Sequence, residues 1–328
     1  MTFNHQDFSS NKIVIMSNKP HISIVSPVYK AANILDKLVE EIQKVMLQMN
    51  VTYEIVLVDD RSPDTSWEIM QQLSAKFPQV KSIRLSKNFG QHPAIMAGIS
   101  NASGEWIVVM DCDLQDQPKE IVKLYNKTKE GFDVVLASRK NRQDGFLKKA
   151  SSKLFSMLYS YLTETKFDNT IANFGIYHSK VITEVIQMND YIKSFPLFVN
   201  WVGFKSVAIE VEHAERESGK SSYSFSKLMS LAFNTIISFS NKPLKLFVKF
   251  GLVISIFSFT FGLVTIYRYL HGEITVLGYS SLMVSIWFLS GVLITTIGIV
   301  GIYIGKIFDQ SKGRTSYIID KIITNDVH

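Results

Sequence analysis

Five short apolar runs rich in β-formers, separated by longer amphipathic stretches, decide what the first 140 residues can become. The runs are ISIVSPVY (22–29), EIVLVDD (54–60), VKSIRLS (80–86), EWIVVMD (105–111) and FDVVLASR (132–139), with helical patterns over 32–48, 64–77, 91–101 and 118–129. Strands alternating with helices at this spacing predict an α/β fold with a mostly parallel sheet covered on both faces. Ligands bind such sheets outside the carboxyl ends of the strands, which is where Asp59, Asp60 and Asp111 fall.

A dinucleotide-binding version of this architecture needs Gly-x-Gly after the first strand, and the chain contains none. The nearest approach to a phosphate loop, GIYIGK at 301–306, is one residue short and sits in an apolar helical stretch. Its glycines suit close helix packing in lipid. The 328 residues carry a net charge of +6, with basic groups at 139–149, 242–249 and 306–321. Two of these groups flank the most apolar part of the chain, which points to a membrane surface and away from nucleic acid. One cysteine, Cys112, excludes an internal disulfide framework and fits a reducing compartment. Set between two acids, it reads as a small buried side chain with a raised pKa, not as a nucleophile.

Residues 250–267 and 276–304 are free of charge, and each run meets the roughly 20-residue length needed to cross a bilayer. Lys242, Lys245 and Lys249 precede the first; Lys306, Lys312 and Arg314 follow the second. The positive-inside rule therefore places both ends in the cytoplasm and the connection outside. Two further segments, 145–162 and 222–240, gather aromatic and aliphatic residues on one helical face with lysine and serine on the other. They suit either the membrane interface or a protein core. The amino terminus shows no secretory signal. The expected division is a polar lead (1–18), a cytoplasmic α/β domain (19–221), an interfacial helix (222–245), two spans (246–270 and 276–305) and a cytoplasmic tail (306–328).

The candidate chemistry lies in VVMDCDLQDQP (108–118). Asp111 and Asp113 stand two apart at a strand end, so both carboxylates can emerge on one side of extended backbone. With Gln115 as a neutral oxygen donor they form a hard set suited to Mg²⁺ or Mn²⁺. A cation there would neutralise a diphosphate leaving group as its bond to a sugar breaks. Asp59 and Asp60 could accept hydrogen bonds from ribose or base. Asp64 and Asp116 also suit helix N-caps, and His92 a helix start.

Taken in order, SPVYKAANIL, EIVLVDDRSPDTS, the long block LSKNFGQHPAIMAGISNASGEWIVVMDCDLQDQP, AERESGKSSYSFSKL and the two spans resemble the family 2 glycosyltransferases that load a sugar onto a polyprenyl phosphate. The chain looks most like bactoprenol glucosyltransferases of O-antigen modification, with dolichyl-phosphate mannose synthases and undecaprenyl-phosphate aminoarabinose transferases as relatives. The resemblance runs from about residue 22 to 317. It implies a GT-A fold, a nucleotide-sugar donor such as UDP-glucose or another UDP-hexose, a divalent cation, inversion at the anomeric carbon, and a bacterial inner-membrane location. It also implies roles: Pro27 and Tyr29 lining the nucleotide pocket, Asp59 and Asp60 at ribose and base, and Asp111, Asp113 and Gln115 at metal and diphosphate. Arg216, Lys220 and Ser221 would grip phosphate on the acceptor side. Arg139 is a further phosphate candidate or a solvated cation.

A lipid phosphate is already largely anionic at neutral pH, so a transferase that uses one needs no general base. The chain lacks both the Glu-Asp dipeptide of hydroxyl-using relatives and the Gln-x-x-Arg-Trp of processive synthases. Those synthases, and a non-catalytic nucleotide-sugar or lipid-binding module, are the rival readings. Two departures stand out: Arg61 where relatives have the glycine of DDGS, and IANFGIY (171–177) where they have GDFRLM, so that Asn173 replaces an acid and Gly175 an arginine. Gly291, Gly298, Gly301 and Gly305 share one face of the second span, which suggests a homo-oligomer, up to a tetramer.

Overall fold

The computed structural model describes residues 19–139, 171–188, 194–212, 240, 242–272 and 278–324. The five sequence runs become β1 (Ile22–Val28), β2 (Tyr53–Asp59), β3 (Val80–Leu85), β4 (Trp106–Val109) and β5 (Val134–Arg139). Between them lie α1 (Leu35–Met49), α2 (Ser66–Lys76), α3 (Gln91–Ser100) and α4 (Ile121–Thr128). There follow β6 (Ile171–His178), α5 (Ser179–Gln187), α6 (Phe195–Val202) and β7 (Ser206–Val211). The chain then forms two long helices, α7 (Lys242–Leu270) and α8 (Tyr279–Ser311), and a last strand, β8 (Ile319–Ile323).

The strands make one sheet in the order β7-β5-β6-β4-β1-β2-β3-β8. Its centre is parallel, as expected: β1 pairs with β2 and β4, and β2 with β3. The departures are β6, antiparallel to both β4 and β5, and β8, antiparallel to β3. The sequence did not mark β6 because IANFGIYH breaks alternation with Asn173 and Gly175. Central strands such as β1 are buried along their whole length, which is why they read as continuous apolar runs.

Two cores cover the two faces. Leu38, Ile42 and Met46 of α1, Met70 of α2 and Leu124 of α4 pack on one; Ala94 and Met96 of α3, Val181 of α5 and Phe198 of α6 pack on the other. Each fully buried aliphatic or aromatic side chain contributes about 1.5–3 kcal/mol. Helix α3 lies so close to the sheet that a Cβ on Gly98 would stand 2.3 Å from Val25 Cγ1.

Both α7 and α8 are long and apolar enough to cross a membrane, in windows 244–261 and 288–311, and those windows bury nothing inside the protein. Tyr303 Oη, late in α8, donates to the carbonyl of Ser240, two residues before α7, at 2.8 Å. The two helices therefore run antiparallel, with the start of α7 beside the end of α8. Helix α8 continues through Ser311, and the chain then returns to the sheet as β8.

Candidate active site at the carboxyl edge of the sheet

The site forms where two neighbouring strands part. Strand β1 pairs with β4 only as far as Val25 opposite Val109, but it continues beside β2 to Val28 opposite Asp59. Met110 N closes the ladder on Val25 O at 3.1 Å, and beyond it the chain turns away through Asp111 and Asp113. Pro27 lies in this stretch of β1, beyond the last β4 pair. Lacking an N–H, it leaves no donor unpaired on that side. Pro27 is buried, and Tyr29, the next residue but one, is 46% exposed beside the opening.

The loops on this edge take unusual backbone to make their turns. Lys30 after β1, Arg61 after β2 and Leu114 after β4 all have φ between 55° and 56°, a left-handed conformation that costs a residue with a Cβ roughly 1–2 kcal/mol. Hydrogen bonds offset that strain. Ser62 N donates to Asp59 Oδ1 at 2.8 Å, and Lys30 N donates to Ser62 Oγ at 3.1 Å, which joins the first two loops.

Asp59, the last residue of β2, and Asp60 directly after it face inward to these contacts. Asp59 is fully buried, and Arg84 on β3, its register partner, brings Nε to 3.4 Å. Burial pushes the Asp59 carboxyl above its ordinary value, against the lowering effect of Ser62 and Arg84. Asp60 is 4% exposed and accepts the backbone N–H groups of Phe89 (2.7 Å) and Gly90 (2.8 Å), holding the third loop. Burial again raises its pKa most, with the two N–H groups opposing and the Asp59 charge adding. These partners make Asp59 and Asp60 organisers of the loops at this edge.

The third loop leads directly into α3, and Gln91, its first residue, donates from Nε2 to Asp111 Oδ1 at 2.7 Å. Asp113 Oδ1 accepts Gln115 N at 3.2 Å, which folds the DCDLQ segment into a turn. Between the acids Cys112 is half-buried, and desolvation of its thiol first, then the Asp111 and Asp113 charges, push its pKa up to about 12. Asp111, Asp113 and Gln115 thus occupy one turn and supply hard oxygen donors. Among the described residues no three His, Cys, Asp or Glu side chains gather into a metal cage. Two carboxylates and an amide oxygen form a hard donor set that fits a divalent cation such as Mg²⁺ or Mn²⁺.

The other predicted residues divide. Asp64 accepts Ser66 N at 3.3 Å and Ser66 Oγ at 2.7 Å one residue ahead of the α2 N-cap, and also Ala32 N at 3.3 Å. Asp116 is buried before the short 3₁₀ turn Pro118–Glu120, whose cap position falls to Gln117. Burial holds the His92 imidazole below its ordinary pKa. Arg139 ends β5. Arg216, Lys220, Ser221 and the segments 145–162 and 222–239 lie outside the described residues.

Gly175 explains the departure at 171–177. It sits in β6 opposite Val109 of β4, and a Cβ there would meet Tyr177 Oη at 2.8 Å and Val135 O at 3.0 Å. An arginine could not start from this position without displacing the buried tyrosine. Sequence reading missed two participants, Gln91 and strand β8. The first stood inside the quoted NFGQHP block, and the second is a short β-rich run, SYIIDKII, after the second span.

Comparisons place this arrangement. The model of glycosyl transferase family 2 matches residues 23–185. The uncharacterized glycosyltransferase YkcC of Bacillus subtilis (strain 168) is 36% identical over 307 residues, 93% of this chain and 95% of that protein. The undecaprenyl-phosphate 4-deoxy-4-formamido-L-arabinose transferase of Proteus mirabilis (strain HI4320) is 33% identical over 305 residues, 92% of this chain and 94% of that one. A glucosyl-3-phosphoglycerate synthase from Mycobacterium tuberculosis, crystallised with Mn²⁺, UDP-glucose and phosphoglyceric acid, superposes at TM-score 0.49 with 14% identity, covering 67% of this chain and 78% of that structure. A GT-A-like mixed sheet, acidic residues at its carboxyl edge and relatives alike over nearly their whole length lead to one assignment: the chain belongs to glycosyl transferase family 2.

Proposed function

We propose that this protein transfers one sugar from a nucleotide-sugar donor to the phosphate of a polyprenyl lipid, undecaprenyl phosphate in a bacterial inner membrane. The observation that carries the reading is the joining of Asp111, through Gln91, to the β3–α3 loop that Asp60 holds at the same sheet edge, in a chain similar over 92% of its length to an undecaprenyl-phosphate 4-deoxy-4-formamido-L-arabinose transferase. The share outside that alignment is shorter than either α7 or α8, so the likeness includes the apolar helices.

In this reading Pro27 and Tyr29 border the nucleotide, and the Asp59–Ser62 loop forms the wall beside ribose and base. Asp111, Asp113 and Gln115 would hold Mg²⁺ or Mn²⁺, which supplies charge neutralisation on the departing diphosphate. Gln91 keeps the Asp111 carboxylate in place. The acceptor phosphate attacks the anomeric carbon from the face opposite the diphosphate, the C–O bond to the diphosphate breaks, and the configuration inverts. That oxygen is already ionised, so no protein base takes a proton. Arg216, Lys220 and Ser221, with Arg139, hold the lipid phosphate by charge and hydrogen bonding. The α7–α8 hairpin anchors the domain with both chain ends on the cytoplasmic side. A UDP-hexose donor, an O-antigen or cell-envelope destination and a homo-oligomer complete the proposal.

The test is transfer of radiolabelled sugar from a panel of nucleotide sugars to undecaprenyl phosphate by the purified protein, with and without EDTA, beside Asp113→Ala. Label in the lipid with metal and wild type alone supports the reading. Transfer to sugar hydroxyls, or nucleotide binding without transfer, overturns it.

A further inference from the structure

The last strand connects the apolar hairpin to the candidate donor pocket. Strand β8 runs antiparallel to β3, with Ile319 opposite Leu85 and Ile323 opposite Ser82, so the chain enters it from the carboxyl edge of the sheet. Ser86 N donates to Ile318 O at 2.9 Å and fixes that entry point. Helix α8 ends at Ser311, eight residues before β8 begins. An extended chain covers at most about 3.6 Å per residue, so the end of α8 lies within about 30 Å of the edge that holds the acids.

The second residue of β8 makes the connection. Asp320 Oδ2 accepts from Arg61 Nη1 at 2.9 Å, across 259 positions of sequence. Arg61 lies between Asp60 and Ser62, in left-handed backbone that a glycine takes without cost. Both side chains are well exposed, at 43% and 37%, and such pairs add little to global stability. The neighbours of Arg61 are far more constrained: Asp60 holds the loop into α3, and Ser62 is tied to Asp59 and Lys30.

We infer that β8 is a working part of the donor site, and that Asp320 is a positioning residue which, through Arg61, sets the loop 60–62 for nucleotide binding. The inference rests on the nucleotide-sugar reading above. It deepens that reading by making the segment after the apolar hairpin a determinant of donor affinity.

The experiment uses the full-length protein in detergent, with Asp320→Ala, Arg61→Asp, Asp320→Arg and the reversed pair Arg61→Asp/Asp320→Arg. Donor KM and kcat are measured with the best sugar nucleotide of the panel, and binding of its nucleoside diphosphate by calorimetry. The expected result is a three- to five-fold rise in KM and in Kd for Asp320→Ala with kcat within two-fold, a larger rise for Arg61→Asp, and recovery in the reversed pair. An unchanged KM and Kd, a loss confined to kcat, or a reversed pair no better than the worse single variant overturns the inference. Failure of the underlying reading looks different, because the wild type itself then transfers no sugar. If it still binds the nucleotide, the calorimetric comparison decides the role of Asp320; if it binds none, both proposals fall.

Discussion

Gln91 and Asp111 meet at 2.7 Å across the carboxyl edge of the sheet, a hydrogen bond that joins the first residue of α3 to the first acid after β4. A carboxylate in a metal site keeps its orientation through such a neighbour, and removing one typically costs 10–100-fold in metal affinity or activity. Gln91→Ala is expected to raise the Mn²⁺ concentration for half-maximal transfer about ten-fold at saturating donor. Metal titration of the purified variant checks this, and an unchanged midpoint would remove Gln91 from the site.

Glu54 gives the fold an acid-sensitive joint. Burial alone would raise its carboxyl, but Ser23 Oγ (2.6 Å), Ser103 N (2.6 Å), Ser103 Oγ (2.8 Å) and Lys81 outweigh burial and hold the pKa below the ordinary 4.5. A lowered folded-state pKa means stabilisation that is complete above the unfolded value and lost as pH falls through the folded value. In Glu54→Gln the urea midpoint should therefore drop at pH 7, and its decline below pH 4.5 should be shallower than in wild type. Parallel acid limbs in the two proteins would contradict the assignment.

Gly98 shows how tightly α3 is set on β1 and β2. The added methyl of Gly98→Ala would stand 2.3 Å from Val25 Cγ1 and 3.1 Å from Val58 Cγ2, both on β-branched side chains with little freedom to turn. Overpacking of this kind costs about 1–3 kcal/mol. The expected result is a melting temperature several degrees lower, with donor KM also raised because α3 carries Gln91. A variant as stable as wild type would mean that the helix shifts freely.

Cys112 is expected to resist alkylation. Its thiol, raised to about 12 by burial and the flanking Asp111 and Asp113 charges, is almost wholly protonated at pH 8. Maleimide labelling at that pH should be slow in the native protein and rapid in urea, and Cys112→Ala should retain transfer. Fast native labelling would show that the thiol is exposed.

The strand–helix alternation was legible because each element of the parallel core carries its own signature. Strand β1 is buried on both faces and reads as a continuous apolar run, while α1 places Leu38, Ile42 and Met46 on a single stripe. The acids of 111–116 were legible for a similar reason, since charge directly after a buried strand needs a purpose. Strand β6 was not legible: Gly175 leaves room for Tyr177 and Val135, a requirement of its neighbours that local pattern does not express. Asp59 and Asp60 were visible as candidates, but their partners, Ser62, Arg84, Phe89 and Gly90, come mostly from other loops.

An α/β domain, an acidic carboxyl edge and two apolar helices are written into the local pattern, because strand period, helix period and the exclusion of charge from long apolar runs are properties of neighbouring residues. The assembled sheet, in contrast, is what makes β1 run on past β4, lets Gln91 reach Asp111 and brings Asp320 on β8 to Arg61. These depend on strand order and register, which arise when distant segments bury their faces together. No window of neighbouring residues contains that information.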